Sequence, residues 1–364
     1  MSQLEFYNVC QEVWKYGGIE NFIINVYRNI DRSKIQFDFL IHGEKKNHFE
    51  EEIKQLGGEI YRVPFSTHYK EYAKQMRMIL NENRGKYQAI HIHVSYAMGY
   101  FDARMAKKCK MKNIIVHSHS ANNNIAKRKL IHYLLRNKLT QIADYRLACS
   151  REAANWMFSG KEYERINNAI YTEKYKFNPI IREKTRKDIK LEGKFVVGHV
   201  GRLSPAKNHS FLLEIFKEIT KKEKEAVLLL IGEGELKKKI KQKAQELGIL
   251  EQIIFIGNSK KVEELLQAMD VFVFPSLFEG FGLAALEAQT TGLPCFVAEH
   301  ITKEVNVTGL VEFISLEKTP EYWAKKILDK KDNKRENKQD IVKKNKYDMI
   351  DIAKELEDFY IKIN

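Results

Sequence analysis

Two carboxylates lie close together in the segment FPSLFEGFGLAALEA, at positions 274–288. Its apolar start predicts a strand, its glycine-rich centre with Glu279 a loop, and its remainder a helix that carries Glu287 more than one turn from the helix start. Glycines let backbone N–H groups approach a ligand closely, and a helix N-terminus favours an anion. Because ionised carboxylates accept hydrogen bonds from hydroxyl groups, the segment favours a phosphorylated ligand that also carries sugar or ribose hydroxyls. The plainer alternative is a glycine turn with two surface glutamates.

Two cations lie on a second loop, in the segment HVGRLSPAKNHSFL at positions 199–212. A predicted strand ends at Gly201, and the loop carries Arg202 and Lys207 before a helix that begins near Asn208. Arginine binds phosphate bidentately and lysine binds it as a point charge, so the pair predicts a clamp for a diphosphate. Such cations would stabilise a departing nucleoside diphosphate as its negative charge grows. The alternative is a solvent-exposed Lys207 without a ligand.

Four histidines alternate on two predicted strands, His91 with His93 on one and His117 with His119 on the other. Alternate residues of a strand project to one face, so facing pairs of this kind have the arrangement of a metal site. However, no acidic partner stands nearby, and the sequence contains no DxD motif. We therefore predict no bound metal. The structural alternative is that each histidine is satisfied by hydrogen bonds inside the protein.

The elements that must position these residues alternate between strand and helix along the chain. The predicted strands are 4–9, 37–42, 89–94, 113–120 and 145–150, and then 195–200, 227–232, 253–257, 271–276 and 294–299. Strands separated by helices indicate βαβ units and a parallel sheet. Two such series predict an α/β protein of two doubly wound, Rossmann-like domains, with ligands at the carboxyl ends of the strands in the cleft that the domains face. We place the domains at 1–165 and 166–345, followed by a C-terminal helix over 346–364 that returns toward the first domain. The lysine-rich stretch 324–346 is expected to be a solvated surface helix and loop. The apolar face expected for the last helix consists of Ile350, Ala353, Leu356, Phe359 and Tyr360.

The composition is typical of a water-soluble protein. The chain has 364 residues, of which 44% are hydrophobic and 30% charged, and it is too long for one ordinary compact core. No apolar run is long enough to span a bilayer. The four cysteines are too widely spaced for a zinc site or a disulfide framework. We therefore expect a cytoplasmic protein.

The positive charge is concentrated in the first half of the chain. The formal net charge is +14, and residues 101–150 alone hold eleven basic and two acidic residues. An anionic partner of this stretch would be a nucleic acid, a membrane surface or a phosphorylated substrate, and the alternative is a lysine-rich surface that only keeps the protein soluble. No helix-turn-helix, zinc-finger or RNP signature accompanies the charge, so we expect no nucleic acid. Residues 122–142 predict a basic amphipathic helix, which either packs on the domain core or lies on an anionic membrane surface. Its predicted apolar stripe consists of Ile131, Leu134, Leu135, Leu139 and Ile142.

Together these motifs resemble those of the retaining glycosyltransferases of family 4, of GT-B fold, a group that includes capsular and exopolysaccharide enzymes. The resemblance rests on Gly201-Arg202-Leu203 with Lys207-Asn208, and on Glu279 and Glu287 in EGFGLAALE. It extends to Gly17-Gly18-Ile19-Glu20, which is similar to the glycine-rich loop on the acceptor side. Asn168-Ala169-Ile170 resembles the segment that opens the donor domain of that family. The resemblance thus covers nearly the whole chain.

The resemblance implies a nucleotide-sugar donor held mainly by the C-terminal domain. Arg202 and Lys207 would grip the diphosphate, Glu287 would accept hydrogen bonds from the ribose, and Glu279 would hold the sugar. His119 would contact the donor sugar and act in catalysis together with Glu279, Arg202 and Lys207. The other donor-binding residues that it implies are Gly18, Gly201, Gly232, Gly257, Asn258, Gly280, Phe281, Gly282, Leu283 and Ala284. Gly17, Gly18 and His117 would lie on the acceptor side, with His117 also the alternative to His119.

The implied reaction moves a hexose or an N-acetylhexosamine from a nucleotide-diphosphate donor to a glycan or lipid-linked saccharide, with retention of configuration, in cell-surface polysaccharide synthesis. UDP is the nucleotide expected from family frequency, and GDP is the alternative. No cofactor and no metal are expected. A nucleotide-sugar 2-epimerase of the same fold and a non-catalytic nucleotide-binding scaffold are the alternative functions. If the helix over 122–142 contacts lipid, the protein is expected at the inner face of the membrane.

Overall fold

The computed structural model describes residues 3–10, 18–43, 49–65, 68–121 and 125–364. The chain divides into two compact units. Unit 1 contains the described residues up to Ala169 together with Asp348–Asn364, and unit 2 is Ile170–Tyr347. The two divisions predicted from the sequence lie slightly earlier, after residues 165 and 345. Each unit is built on one parallel sheet, so the prediction of an α/β protein with two doubly wound sheets is confirmed.

In the described residues of unit 1, seven parallel strands form one sheet in the order β3-β2-β1-β4-β5-β6-β7. Its elements are β1 (Leu4–Cys10), α1 (Gly18–Asn29), β2 (Ile35–His42), α2 (Glu50–Gln55), β3 (Ile60–Val63), α3 (Tyr69–Glu82), β4 (Tyr87–Val94), α4 (Tyr100–Lys108), β5 (Ile114–Ser118), α5 (Ala126–Ile142), β6 (Tyr145–Ala148), α6 (Arg151–Phe158) and β7 (Glu164–Arg165). The central strands are buried on both faces, which explains their nearly continuous apolar sequences. The strand order reverses between β1 and β4, and open α/β sheets bind ligands outside the carboxyl ends of strands at such a reversal.

Six parallel strands form the sheet of unit 2, in the order β10-β9-β8-β11-β12-β13. Its elements are α7 (Pro179–Asp188), β8 (Phe195–Val200), α8 (His209–Lys222), β9 (Ala226–Ile231), α9 (Lys237–Glu246), β10 (Ile253–Gly257), α10 (Val262–Ala268), β11 (Val271–Phe274), α11 (Leu283–Thr290), β12 (Cys295–Ala298), β13 (Val311–Ile314), α12 (Pro320–Leu328) and α13 (Gln339–Lys344). The last helix, α14 (Met349–Lys362), belongs to unit 1. In unit 2 the strand order reverses between β8 and β11, which makes the carboxyl ends of these two strands the expected binding edge.

Two regions near the C-terminus differ from the sequence-based expectation. Residues 324–346 were expected to be a solvated helix and loop, yet α12 buries Trp323, Ala324 and Ile327 and belongs to the core of unit 2. Lysines stand between these apolar residues in the sequence, so the segment did not show an apolar helical face. In α14 the predicted apolar face included Ile350, which is 55% exposed, whereas Met349 is buried at the helix start.

Candidate active site

The loops at the carboxyl ends of β8, β9 and β10 are fastened to one another through their backbones. Leu203 N–H donates to the carbonyl of Glu233 at 3.0 Å, and Gly232 N–H donates to the carbonyl of Gly257 at 2.8 Å. A Cβ at Gly232, where φ is +135°, would lie 2.1 Å from the carbonyl oxygen of Gly201. Glycine is therefore required at position 232, because any side chain would push the two loops apart.

The two motifs found in the sequence meet in one ion pair. Lys207 Nζ lies 2.5 Å from Glu279 Oε1, and both side chains are largely buried. The ammonium also lies 4.7 Å from the centroid of the Phe274 ring, an arrangement that stabilises a cation. Leu277 N–H donates to the carbonyl of Ala206 at 2.7 Å, which holds the two loops together. A lysine and a carboxylate thus stand side by side at the carboxyl ends of β8 and β11.

Arg202, the other predicted cation of the clamp, lies in a different environment. Its side chain is 63% exposed and forms an ion pair with Glu235 at 3.2 Å. The structure therefore brings Lys207 and Glu279 together and leaves Arg202 at the surface, paired with a carboxylate that was not among the predicted site residues. An exposed ion pair of this kind is weak, so Arg202 remains free to exchange Glu235 for another anion.

Helix α11 begins directly after the glycine-rich loop, as the sequence predicted. Gly282 at its N-cap has φ of +95°, a conformation that glycine adopts without strain, and Leu283 and Ala284 follow half-buried in the first turn. Half-buried Gly280 precedes them, whereas the Phe281 ring is buried and stacks on Tyr347 at 5.3 Å, so only its backbone is available to a ligand.

Glu287 has an unusual carboxyl group. It is half-buried and accepts a hydrogen bond from Tyr175. Burial raises the pKa of Glu287 to about 7; the Tyr175 hydroxyl opposes this rise and the charge of Glu263 adds to it. The group therefore changes charge near neutral pH. Tyr175 lies in a short 3₁₀ helix, Thr172–Tyr175, and the sequence carried no signal for its role.

The residues predicted near the base lie at the end of β10. Gly257 has φ of +76° and is buried, and a Cβ there would lie 2.7 Å from Glu233 Oε1. Asn258 follows it and is exposed. Glu233 itself pairs with Lys237 at 2.6 Å. This edge is continuous with the Gly201 and Gly232 loops.

In unit 1, His119 is buried and engaged through both ring nitrogens. Its Nε2 lies 3.0 Å from Nδ1 of His93, and its Nδ1 lies 3.2 Å from Oδ1 of Asn168. His117 is fully buried, with Phe22 packed edge-on against its ring at 5.5 Å. This placement argues against the prediction that His117 touches an acceptor. Gly18 is the exposed first residue of α1, and Gly17 lies outside the described residues.

Three buried histidines cluster in the described part of unit 1, but only two of them have ring nitrogens without a hydrogen-bond partner. His91, His93 and His117 each offer a nitrogen, and these atoms lie within 4.8 Å of one another. Both nitrogens of His93 are hydrogen-bonded, however, and Nδ1 of His91 lies 2.5 Å from the Tyr360 hydroxyl. Within the described part of the cluster, the unpartnered nitrogens belong to His91 and His117 alone. Two ligands are fewer than transition metals take in protein sites, so the cluster fits a metal poorly.

Helix α5 covers part of the predicted basic segment 122–142, of which 122–124 lie outside the described residues. Its inner face buries His132 and Leu139, whereas Leu134, which we predicted on the same apolar stripe, is 63% exposed. A second apolar stripe therefore faces outward. We call it the α5 surface, and it consists of Ile125, Leu130, Tyr133 and Leu134. Lys127, Lys129 and Lys138 are exposed on the same helix.

Known proteins are similar to this chain in sequence and in architecture. Residues 16–174 match the family model described as Glycosyltransferase Family 4, and residues 181–349 match that described as Glycosyl transferases group 1. The chain is 32% identical over 324 residues to the putative glycosyltransferase EpsF of Bacillus subtilis (strain 168), which covers 85% of this chain and 84% of EpsF. Over 139 residues, 36% of this chain and 35% of the relative, it is 38% identical to the UDP-Gal:alpha-D-GlcNAc-diphosphoundecaprenol alpha-1,3-galactosyltransferase of Escherichia coli. The crystal structure of Anabaena HepE in complex with UDP and glucose superimposes with a TM-score of 0.79 at 18% identity, over 99% of this chain and 100% of HepE.

Two doubly wound parallel sheets of this kind are those of the GT-B fold. The chain belongs to glycosyltransferase family 4, as the resemblance noted in its sequence implied. Among the described residues, no helix combines the length and the apolar character needed to cross a bilayer.

Proposed function

We propose that this glycosyltransferase moves a sugar from a nucleotide-diphosphate donor, UDP-sugar in preference to GDP-sugar, with retention of configuration. The observation that carries the proposal is the ion pair of Lys207 and Glu279 at the binding edge of unit 2. The two residues offer opposite charges side by side, which suits a ligand that has phosphates next to hydroxyl groups. HepE binds UDP and glucose, and the E. coli relative is named for a UDP-galactose donor, which favours UDP.

In the proposed reaction, Lys207 stabilises the negative charge that develops on the leaving diphosphate. The acceptor oxygen forms a bond to the anomeric carbon while the bond from that carbon to the phosphate oxygen breaks. The acceptor proton passes to the departing phosphate oxygen on the same face of the sugar, so configuration is retained. Double displacement would instead require a carboxylate beneath the anomeric carbon. We assign Glu279 to the sugar hydroxyls, because an ionised carboxylate accepts hydrogen bonds from hydroxyl groups and its neighbour Lys207 would bind the phosphate to which the sugar is joined.

We propose the remaining donor contacts as follows. Arg202 breaks its ion pair with Glu235 and binds the diphosphate together with Lys207. Glu287 accepts hydrogen bonds from the ribose. The first turn of α11 offers backbone N–H groups to phosphate, as helix starts do. Lys207 and Arg202 supply the positive charge that a divalent cation would otherwise provide, so we propose that transfer requires neither a metal nor a cofactor.

The function is tested by measuring thermal stabilisation with a panel of UDP- and GDP-sugars, since a ligand that binds only the folded state raises the melting temperature. We expect one UDP-sugar to stabilise the protein and to be consumed only when an acceptor is present, also in excess EDTA. Consumption of the donor without an acceptor would favour a 2-epimerase. Binding without any turnover would favour a scaffold, and loss of turnover in EDTA would contradict metal independence.

We further propose that the acceptor is a lipid-linked saccharide in polysaccharide synthesis and that the α5 surface rests on anionic lipid. Outward apolar side chains beside lysines are typical of helices that bind such membranes. The E. coli relative is named for a diphosphoundecaprenol acceptor. Over 66 residues, 18% of this chain and 11% of the relative, the chain is 42% identical to a protein of Salmonella typhi that is named for Vi polysaccharide biosynthesis.

Vesicle sedimentation tests this surface. We expect binding to anionic vesicles that weakens with salt, and we expect the Leu130→Ser/Leu134→Ser variant to bind roughly tenfold more weakly, because both leucines are outside the core. Ile180→Ser is the matched control, since Ile180 is 75% exposed on unit 2. Equal binding of the leucine variant and the wild type would contradict the proposal.

A further inference from the structure

A chain of hydrogen bonds links four side chains at the carboxyl ends of neighbouring strands in unit 1. It runs from Asn8 in β1 through His93 in β4 to His119 just beyond β5, and it ends at Asn168. Asn8 Oδ1 lies 3.1 Å from His93 Nε2, His93 Nδ1 lies 3.0 Å from His119 Nε2, and His119 Nδ1 lies 3.2 Å from Asn168 Oδ1. The first three residues are buried and Asn168 is half-buried. Water can therefore reach this hydrogen-bond chain only at its Asn168 end.

The number of protons restricts how this chain can be arranged. Burial lowers the pKa of His119 to about 4, and burial together with His91 and His119 lowers the pKa of His93 well below its ordinary value. Both rings are therefore neutral near pH 7 and supply one N–H each. Three hydrogen bonds require three protons, so the third must come from the amide nitrogen of an asparagine at one end. One of the two amides must turn its nitrogen toward the neighbouring histidine.

The surroundings of Asn8 indicate which amide turns. Asn8 Nδ2 is buried and has no hydrogen-bond partner within the described residues. Asn168 is half-buried, so its amide can also form hydrogen bonds with water. Turning Asn8 by 180° about its last torsion places Nδ2 on His93 Nε2 and leaves Oδ1 in the position that has no partner. This arrangement is the better one, because a buried carbonyl oxygen without a partner costs less than a buried N–H without one. Every bond then points the same way: Asn8 donates to His93, His93 Nδ1–H donates to His119 Nε2, and His119 Nδ1–H donates to Asn168.

We propose that Asn8 and His93 are positioning residues that hold His119 as its Nδ1–H tautomer, and that an oxygen of the sugar substrate replaces Asn168 as the acceptor of that N–H. The identity of this ligand rests on the proposed function. His119 is then a hydrogen-bond donor in the transferase and not a base, because its Nε2 lone pair is already occupied by His93. Phe22 packs against the His119 ring at 5.2 Å and restrains its rotation.

The tautomer itself is tested without any substrate. ¹⁵N NMR of histidine-labelled protein, with the His119 signals assigned by their loss in His119→Gln, distinguishes a protonated from an unprotonated ring nitrogen. We expect Nδ1 of His119 to be protonated and Nε2 to be unprotonated in the wild type. The opposite tautomer would overturn the proposal. Since this measurement does not depend on turnover, a failure of the proposed function would not be mistaken for a failure of the hydrogen-bond chain.

The positioning role is tested by kinetics on three variants. His93→Phe removes the donor to His119, and we expect kcat to fall about 10- to 100-fold, the range for losing an outer hydrogen bond that orients a histidine, with little change in the KM for the donor. His93→Gln keeps an amide donor and should recover part of kcat. His91→Phe is the matched control, since His91 lies on the same strand and is equally buried but bonds Tyr360 instead. Equal kcat in His93→Phe and His91→Phe would overturn the role of His93.

Discussion

The binding edges of the two sheets have the same topology but different chemistry. In unit 1, the carboxyl ends of β1, β4 and β5 carry neutral, buried groups such as Asn8, His93 and His119, joined by directional hydrogen bonds. In unit 2, the equivalent ends of β8 and β11 carry Lys207 and Glu279, joined by charge. A doubly wound sheet fixes where a ligand binds, whereas the residues at its edge decide what it binds. The charged edge suits the group that leaves with negative charge, and the neutral edge suits recognition of hydroxyl groups.

The largest effect is expected from removing the cation of the charged edge. Lys207→Ala should lower kcat/KM for the nucleotide sugar by about 100- to 1000-fold, the range for losing one preorganised group that stabilises developing charge. The reduced rate should be measured with protein whose melting temperature shows that it is folded, since Glu279 is left without its partner. Unchanged kcat/KM would remove Lys207 from the mechanism and with it the contrast between the two edges.

Arg202→Ala is the matched comparison for this prediction. Its guanidinium is largely exposed and screened by water, so it should contribute less than the enclosed Lys207, about tenfold or less. Its effect should also shrink as salt is added, because exposed charges are screened. A larger loss in Arg202→Ala than in Lys207→Ala would mean that the arginine is the principal phosphate ligand.

The sequence predicted the elements of unit 2 closely, because its strands are short apolar runs bounded by glycine and charge. The bounds predicted for β8 and β10 are those of the structure. The strand β13 was missed because VEFI has too few residues to show a periodicity. The prediction of a solvated stretch over 324–346, which begins inside α12, was wrong there because lysines separate the buried residues Ala324 and Ile327.

The candidate site was predictable as residues but not as contacts. Lys207 and Glu279 were each recognised from their loops, yet only the parallel pairing of the sheet brings the ends of β8 and β11 together. The partner of Arg202 was not predicted, because Glu235 lies on a loop after β9 whose packing depends on Gly232. Asn8 did carry a signal, as a polar residue within the apolar strand LEFYNV. Its meaning became clear only with His93 beside it.

A smaller effect is expected from the ionisation of Glu287, which brings a titratable group to the charged edge. Its pKa of about 7 means that the carboxyl is largely protonated at pH 6 and ionised at pH 8. An ionised carboxylate accepts stronger hydrogen bonds from ribose hydroxyls than a neutral acid does. The KM for the donor should therefore rise roughly three- to tenfold as the pH falls from 8 to 6, in initial-rate measurements with saturating acceptor.

Glu287→Gln is the control, since an amide keeps the shape of the side chain but does not titrate. Its KM should be flat over this pH range and close to the low-pH value of the wild type. The folding stability of the wild type should change in the opposite sense to its donor binding, so that a lower pH weakens donor binding but stabilises the fold. Because the folded protein holds the Glu287 proton more tightly than the unfolded chain does, the wild type loses stability as the pH rises from about 4.5 to about 7. The melting temperature of Glu287→Gln should therefore exceed that of the wild type at pH 8 and approach it at pH 5. If the KM of Glu287→Gln still rose at low pH, a group other than Glu287 would titrate at the donor site and cause the pH dependence of the charged edge.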